Sequence, residues 1–381
     1  TLNQVDNITR QLDNTADRLR KDAGIDQQVG KLTDRLATLP DQLPIRATNG
    51  KTAFVEVRVE NGWRAIEREW LATLDTGQLA QLQSQPVEIV ESTHFEQLDL
   101  TLVRFRVPKA LDSRKKLQQL LPGVDLQLDR NHVYSPQTNT ITKGEDNNDE
   151  GNNPTTAICS EPVKVGIIDT ALKLDHPAFK RAVDNQRIIA RNFLPEQVAE
   201  PDTHGTAIAG LLVGQGDELQ PLLSGANLYA ASVFYARKDF AEGASMMNLI
   251  RALDWLLSEK VSLINMSLAG PDNHILANVI AKTLANGTAI VAAVGNEGPA
   301  APPLFPAAYP GVVAVTAVDN KQKIYRWANR GDQVYFAAPG VNILSARANG
   351  GYGRESGTSM AAPVVSAFLA CNMQQHDRDE A

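Results

Sequence analysis

No apolar run in this chain approaches the roughly 20 residues needed to cross a bilayer, so no membrane span is expected. There is no long cluster of lysine or arginine either, and the formal net charge of -7 argues against a nucleic-acid partner. No dense group of carboxylates marks a cation site, so neither a metal nor another cofactor is expected, although backbone carbonyls can hold calcium without any mark in sequence. Cysteine is scarce. Cys159 and Cys371 are the only two, and the sequence leaves open whether they are bridged, which would fit an oxidising compartment, or stay free and buried. Position 1 is threonine and not methionine, which fits a removed signal or anchor segment and equally a shortened sequence.

With 381 residues, 43% hydrophobic and 21% charged, the chain has a globular mixture and the length of two or three domains. Residues 1–48 place apolar side chains at Leu2, Val5, Ile8, Leu12 and Leu19, then at Ile25, Val29, Leu32, Leu36 and Leu39. Spacings of three, four and seven predict two amphipathic helices, broken near Gly24 and ended by Pro40 and Pro44. Such an arm would be a spacer over the next domain, or a surface for self-association or a partner.

From Lys51 the pattern changes. Residues 53–59 alternate and read as a strand, 63–74 as a helix, 86–91 and 98–107 as strands, 110–121 as a second helix, and 124–128 as a last strand. The set makes a small α+β module over residues 49–137, with its own apolar side chains and no catalytic cluster. Residues 138–154 are acidic and nearly free of hydrophobes; they bury too little to offset their ordering entropy and predict a linker.

Beyond Cys159 strands and helices alternate. The run 163–169 shows no polar alternation, as expected of a parallel strand covered on both faces. Strands follow at 188–193, 227–234, 262–267, 289–294 and 312–318, with helices at 204–213, 244–258 and 273–286. This order predicts an α/β domain over residues 155–381 with a doubly wound, mostly parallel sheet and its site at the carboxyl ends of the strands.

Four segments there carry chemistry. The first ends an apolar strand in Asp169, where an unpartnered carboxylate is costly to bury. Asp202-Thr203-His204-Gly205-Thr206 opens a helix at one of only six histidines, beside a glycine that lets a neighbouring chain approach. Val294-Gly295-Asn296-Glu297-Gly298 holds a side-chain amide in a glycine turn. Gly357-Thr358-Ser359-Met360-Ala361-Ala362-Pro363 opens a helix at a serine, where backbone amides and the helix dipole favour developing negative charge. Its proline falls within the first turns, where a missing N–H costs little. Singly, each has a bland reading: turn cap, surface histidine, left-handed filler, N-cap.

Together, in the order Asp, His, Ser with an amide donor between, the four segments resemble those of the subtilisin-like serine proteases, over about residues 155–371. The resemblance implies a serine endopeptidase with Ser359 as nucleophile and His204 as its base. Asp169 would hold the Nδ1 hydrogen of His204, and Asn296 with the Ser359 amide would form the oxyanion hole. It also implies that Ser267, Leu268, Ala269 and Gly270 form a substrate-binding strand, with Gly243 on the opposite edge of the cleft. Leu304 would belong to the wall of the primary pocket and favour small or modest side chains. Ala171 departs from the pattern, which usually has glycine third after the acid.

By the same resemblance, residues 49–137 are a ferredoxin-like α+β pro-domain, an intramolecular inhibitor whose tail lies in the cleft and is cut near Ser135 to Thr138. The enzyme would be secreted or periplasmic, its substrate a protein or peptide, and Cys159 and Cys371 would fall on neighbouring elements. Two other readings compete: a non-catalytic protein-binding module using the helical arm, and an esterase using the same triad.

Overall fold

In the computed structural model, residues 39–123, 127–137, 157–216, 219–237 and 240–379 are described. The predicted helices of residues 1–38 and the predicted linker 138–154 lie outside them. Residues 1–41 and 42–381 form two units, and every helix and strand named below belongs to the second.

The first layer is antiparallel. It contains β1 (Gln42–Arg46), β2 (Thr52–Arg58), β3 (Arg64–Thr73), α1 (Thr76–Gln83), β4 (Glu88–Phe95), β5 (Leu100–Arg106), α2 (Arg114–Leu120) and β6 (Leu128–Pro136). Strand β3 pairs with β2, β5 and β6, while β4 pairs with β5 and β1 with β2. Trp70, Leu82, Val103, Phe105, Leu117, Leu121 and Leu128 close a core of their own beneath α1 and α2. Helix α1 starts in a capping box: the Asp75 carboxylate accepts from the Gln78 N–H at 2.8 Å and the Gln78 side chain accepts from the Asp75 N–H at 3.1 Å.

Three sequence expectations change here. Residues 63–74 are not a helix but the central strand β3. Between Ala65, opposite His132, and Trp70, opposite Arg130, the strand carries an irregularity, with Arg68 at φ 56. That insertion separates the buried pairs Ala65/Ile66 and Trp70/Leu71 by a helical spacing while the chain remains extended. Pro44 does not end a helix; it lies in β1, at the edge of the sheet, where a missing donor is tolerated. The last strand runs on to Pro136, far beyond the expected residue 128.

The second layer is α/β. It comprises β7 (Lys164–Asp169), β8 (Ile188–Asn192), α3 (Thr203–Val213), β9 (Asn227–Ser232), β10 (Tyr235–Arg237), β11 (Phe240–Ser245), α4 (Met246–Ser258), β12 (Leu263–Met266), β13 (Leu268–Ala269), α5 (His274–Ala285), β14 (Ala289–Ala293), β15 (Val313–Val318), β16 (Phe336–Pro339), β17 (Ile343–Arg347), β18 (Gly351–Glu355) and α6 (Thr358–Asp379). Seven strands form one sheet in the order β16-β15-β14-β12-β7-β9-β8, parallel at every pairing.

Successive residues of each strand face opposite cores, as the pleat requires. Ile168, Ile264 and Ala292 pack with α4 and α5, whereas Ile167, Leu263 and Val291 pack with α3 and α6. After β7 the chain goes to the edge strand β8 and returns to β9, which lies between β8 and β7, and then builds outward through β12 to β16 on the other side. Ligand crevices open at such a reversal, at the carboxyl ends of the strands, and Asp169 ends β7 there. Cys159 and Cys371 are both buried, and neither is in a disulfide. Among the described residues no helix is long and apolar enough to cross a membrane.

Candidate active site

Asp169 and His204 meet at the carboxyl edge of the sheet. The second residue of α3, His204, is 3% exposed, and its Nδ1 lies 2.6 Å from Asp169 Oδ1. That oxygen also accepts from the Thr170 N–H at 2.7 Å, which fixes the carboxylate. Gly205 permits the approach: a β-carbon there would meet the Thr170 carbonyl oxygen, while its own N–H donates to Thr170 Oγ1 at 2.7 Å. Burial opposes a charged His204 ring, but the Asp169 charge and hydrogen bond, with Glu242 and Glu355 behind them, raise its pKa above the ordinary value.

Ser359 is the second residue of α6 and wholly buried. Pro363 is the sixth residue of that helix, past the first turn, so its missing N–H does cost something: it deprives the Ser359 carbonyl of its i+4 donor. The Ser267 hydroxyl replaces that donor at 3.1 Å. Ser267 Oγ in turn accepts from Asn265 Nδ2, and Asn265 Oδ1 accepts from the Ser366 hydroxyl, both at 3.0 Å. This buried chain ties the start of α6 to the end of β12. Helices α3 and α6 share one apolar core, but Ser359 Oγ and His204 Nε2 make no hydrogen bond, to each other or to any other group, and Asp169 Oδ2 is also unpartnered. The link from imidazole to hydroxyl is therefore not closed here.

The Asn296 amide has one consistent orientation. Its Oδ1 accepts from the Thr358 N–H at 3.0 Å and the Thr358 hydroxyl at 3.1 Å, which leaves Nδ2 as the outward donor. Nδ2 donates at 2.8 Å to the carbonyl oxygen of Gln137. A β-carbon at position 357 would lie 2.9 Å from that oxygen, 3.0 Å from Asn296 Nδ2 and 3.2 Å from Ser359 Oγ. Those three atoms converge on the space that Gly357 leaves empty. Asn329 steadies the turn beneath, accepting from the Glu297 N–H at 2.8 Å and donating to the Pro302 carbonyl at 3.1 Å.

Gln137 arrives there because β6 runs between two strands of the α/β layer. On one side Pro136 pairs with Leu268 and Ser135 with Ala269; on the other Tyr134 pairs with Ala244 and Val133 with Ser245. The Gln137 N–H donates to the Ser267 carbonyl at 3.2 Å, and its side-chain oxygen accepts from the Asn296 N–H at 2.9 Å. Gly270 leaves room for the Tyr134 ring, whose hydroxyl donates to the Pro271 carbonyl at 2.9 Å.

Of the residues expected to bind substrate, Ser267, Leu268, Ala269 and Gly270 thus touch the inserted strand. Gly243 does not: it pairs with Tyr235 of β10, and Ala244 and Ser245 take the place expected of it. Leu304 is buried, with its side chain packed under Gly295.

Sequence reasoning put the tail of the module in the cleft, with its cut near Ser135 to Thr138, but gave the Gln137 side chain no role, and it missed Gly357 as a spacer, Thr358, Asn329 and the Ser267 hydroxyl. Thr358 carried a signal, since it precedes the serine in the quoted motif; Gln137 carried none, because its place depends on pairing with strands more than a hundred residues away.

A sequence profile of the subtilase family matches residues 160–380. The chain is 34% identical over 180 residues to the minor extracellular protease Epr of Bacillus subtilis (strain 168), covering 46% of this chain and 27% of that protein. It is 32% identical over 223 residues to subtilisin E of the same organism, covering 56% of each. The chain therefore spans from about a quarter to about half the length of these relatives. Fervidolysin from Fervidobacterium pennivorans, a keratinolytic enzyme related to subtilisin, shares the fold at 17% identity with a TM-score of 0.65, over 88% of this chain and 58% of that one. With the profile matched over more than half its length, this chain belongs to the subtilase family.

Proposed function

We propose that the chain is a serine endopeptidase made as a latent precursor, in which residues 42–137 occupy the cleft of the peptidase region and the bond between Gln137 and Thr138 is the one it cuts in itself. The observation that carries this reading is the Gln137 carbonyl, which accepts from Asn296 Nδ2 at 2.8 Å with Ser359 Oγ beside it. That carbonyl stands where a scissile carbonyl would. The antiparallel order β4-β5-β3-β6 with two helices supports a ferredoxin-like reading of the inhibitory module, and the fold likeness to fervidolysin extends well beyond the length that the family profile matches.

In the proposed reaction Ser359 Oγ attacks the Gln137 carbonyl carbon as His204 Nε2 takes its proton. The oxygen becomes an oxyanion held by Asn296 Nδ2 and the backbone N–H of Ser359, and Asp169 stabilises the imidazolium through Nδ1. The C–N bond then breaks, with His204 returning the proton to the amine of Thr138. Water adds to the acyl-enzyme by the same route and frees the Gln137 carboxylate. All these groups are side chains or backbone amides of this chain.

Substrates in trans are proposed to bind as β6 does, as an added strand between β11 and β13. Glutamine is read at the position before the cut through the Asn296 N–H. The extracellular protease among the similar relatives supports a secreted or periplasmic location.

The test is intact mass and fluorophosphonate labelling of purified protein. A break after Gln137, with label on wild type and none on Ser359→Ala, is expected. Label that survives Ser359→Ala would reject the nucleophile, and an uncut, unlabelled wild type would reject the enzyme.

A further inference from the structure

A second junction between the module and the peptidase region lies away from the triad. Glu56, on β2 of the module, is fully buried. Its Oε1 accepts from the Tyr235 hydroxyl at 2.6 Å and Arg237 Nε at 2.7 Å; its Oε2 accepts from Arg64 Nε at 2.9 Å and Arg237 Nη2 at 3.0 Å. Tyr235 and Arg237 belong to β10, whose partner β11 forms one wall of the cleft. Arg237 presents Nε and Nη2 as a fork to the two carboxylate oxygens, the geometry that makes arginine selective for planar anions.

The surroundings are built to fit. Phe54 meets Tyr235 edge to face at 4.9 Å, and Ile45, Ile66, Val133 and Val198 close an apolar collar around the group. Gly243 makes room: a β-carbon there would lie 2.7 Å from Arg237 Nη2. Burial pushes the Glu56 carboxyl up, but Arg237, Tyr235 and Arg64 outweigh it and hold it below the usual carboxylate range. Two of the three donors are on the peptidase side of the junction, so a receptor for one carboxylate remains there when the module departs.

We propose that Tyr235 and Arg237 form a carboxylate-binding subsite on the peptidase region, specific for a glutamate carried on an approaching β-strand and filled in the precursor by Glu56. The proposal rests on the reading of residues 42–137 as an inhibitory module. On that reading β6 binds mainly through its backbone, as any extended peptide does, whereas the Glu56 contact is made by one side chain. Once the chain is cut, this contact helps to set how long the module stays, beside the Glu91–Arg251 ion pair and the Gln97 and Leu98 N–H groups that donate to Asp254.

The rate at which a fluorophosphonate labels Ser359 in the full chain measures how often the cleft is open. Glu56→Ala is expected to label about tenfold faster or more, since hydrogen bonds to a charged group are lost, and to slow again in sodium acetate or propionate but not in sodium chloride of equal ionic strength. Glu56→Gln, which fills the space without the charge, should label fast and ignore acetate. Arg237→Gln should also label fast, and it tests the subsite from the other side if Glu56→Ala fails to fold. Wild-type labelling that is slow, with both Glu56→Gln and Arg237→Gln equally slow, would overturn the subsite alone. So would a fast Glu56→Ala that carboxylates do not slow. Wild type that labels at once would overturn the inhibitory reading, and the subsite with it.

Discussion

Two buried polar clusters in this molecule are built on opposite plans. Around Glu56 each carboxylate oxygen has two donors. In the pocket of Asp169, His204 and Ser359, three buried atoms have no partner at all: Asp169 Oδ2, His204 Nε2 and Ser359 Oγ. An unsatisfied buried polar atom costs about 1–3 kcal/mol, so the pocket is held at a loss by the fold around it. The satisfied cluster has the chemistry of a fastening; the unsatisfied one keeps its donors and acceptors for a visitor.

The sharpest way to break that contrast is to remove one group from each. Ser359→Ala should lower peptide hydrolysis by about 10⁴-fold or more, yet leave the thermal midpoint unchanged or slightly higher, because an orphaned hydroxyl is deleted. Glu56→Leu should do the reverse, destabilising the full chain by about 3–5 kcal/mol because Arg64 and Arg237 lose their common counter-ion. Denaturant melts of both variants decide the matter: a large stability loss in Ser359→Ala, or none in Glu56→Leu, would erase the distinction.

Asn296 lies between the two plans, satisfied on one side by Thr358 and reaching toward Gln137 on the other. Asn296→Ala should cost about 10²–10³ in kcat with little change in KM, a magnitude established for subtilisin and carried here to a relative. A change confined to KM would mean that the amide serves binding alone. Ser267→Ala acts a step further back. Its hydroxyl serves the carbonyl that Pro363 leaves without a helical donor, so its loss should cost about 1–3 kcal/mol of stability and a smaller fraction of kcat. Alanine at both 267 and 363 should recover part of that stability, since the helix would then supply its own bond.

What the sequence made legible follows the range of the interactions. Asp169 at a strand end and His204 at a helix start are local features, and the parallel sheet makes their meeting a consequence of chain order. Asn296 next to the start of α6 is similar in kind. The inserted strand was legible only through the family resemblance, which put the tail of the module in the cleft; residues 133–136 themselves carry no pattern that says they will lie between β11 and β13. Glu56 reads as an outward residue of an alternating strand and is buried only because β10 covers it. In β3 a local irregularity moves Trp70 and Leu71 into helical register with Ala65 and Ile66, so an extended strand there carries the apolar spacing of a helix. Residues 1–38 of the arm and the linker 138–154 lie outside the described residues, while the end of the expected arm, Gln42–Arg46, is the edge strand β1.

The subtlest expectation is a shift in a titration midpoint, and a second histidine sharpens it. His132, on β6, is also buried, but its nearest carboxylate, Asp129, stands 3.9 Å away, and Arg130 and Arg114 are close by. Burial dominates, and its pKa is lowered to about 4. His204 has Asp169 at 2.6 Å, and its pKa is raised instead. A base works only when neutral, so the rate of Ser359 labelling should rise with pH through a midpoint above the ordinary 6.5 of imidazole. The stability term has the opposite slope: His204 contributes fully below its unfolded value, and the contribution fades as pH rises through the higher folded one. Asp169→Asn removes the attraction and leaves burial, so its midpoint should fall below that of wild type, on a plateau about 10⁴-fold lower because the ring is no longer held in the productive tautomer. A wild-type midpoint at or below 6.5, or one that Asp169→Asn does not move, would mean that some group other than this pair sets the ionisation of His204, and the likeness between the two buried histidines would then be closer than their surroundings imply.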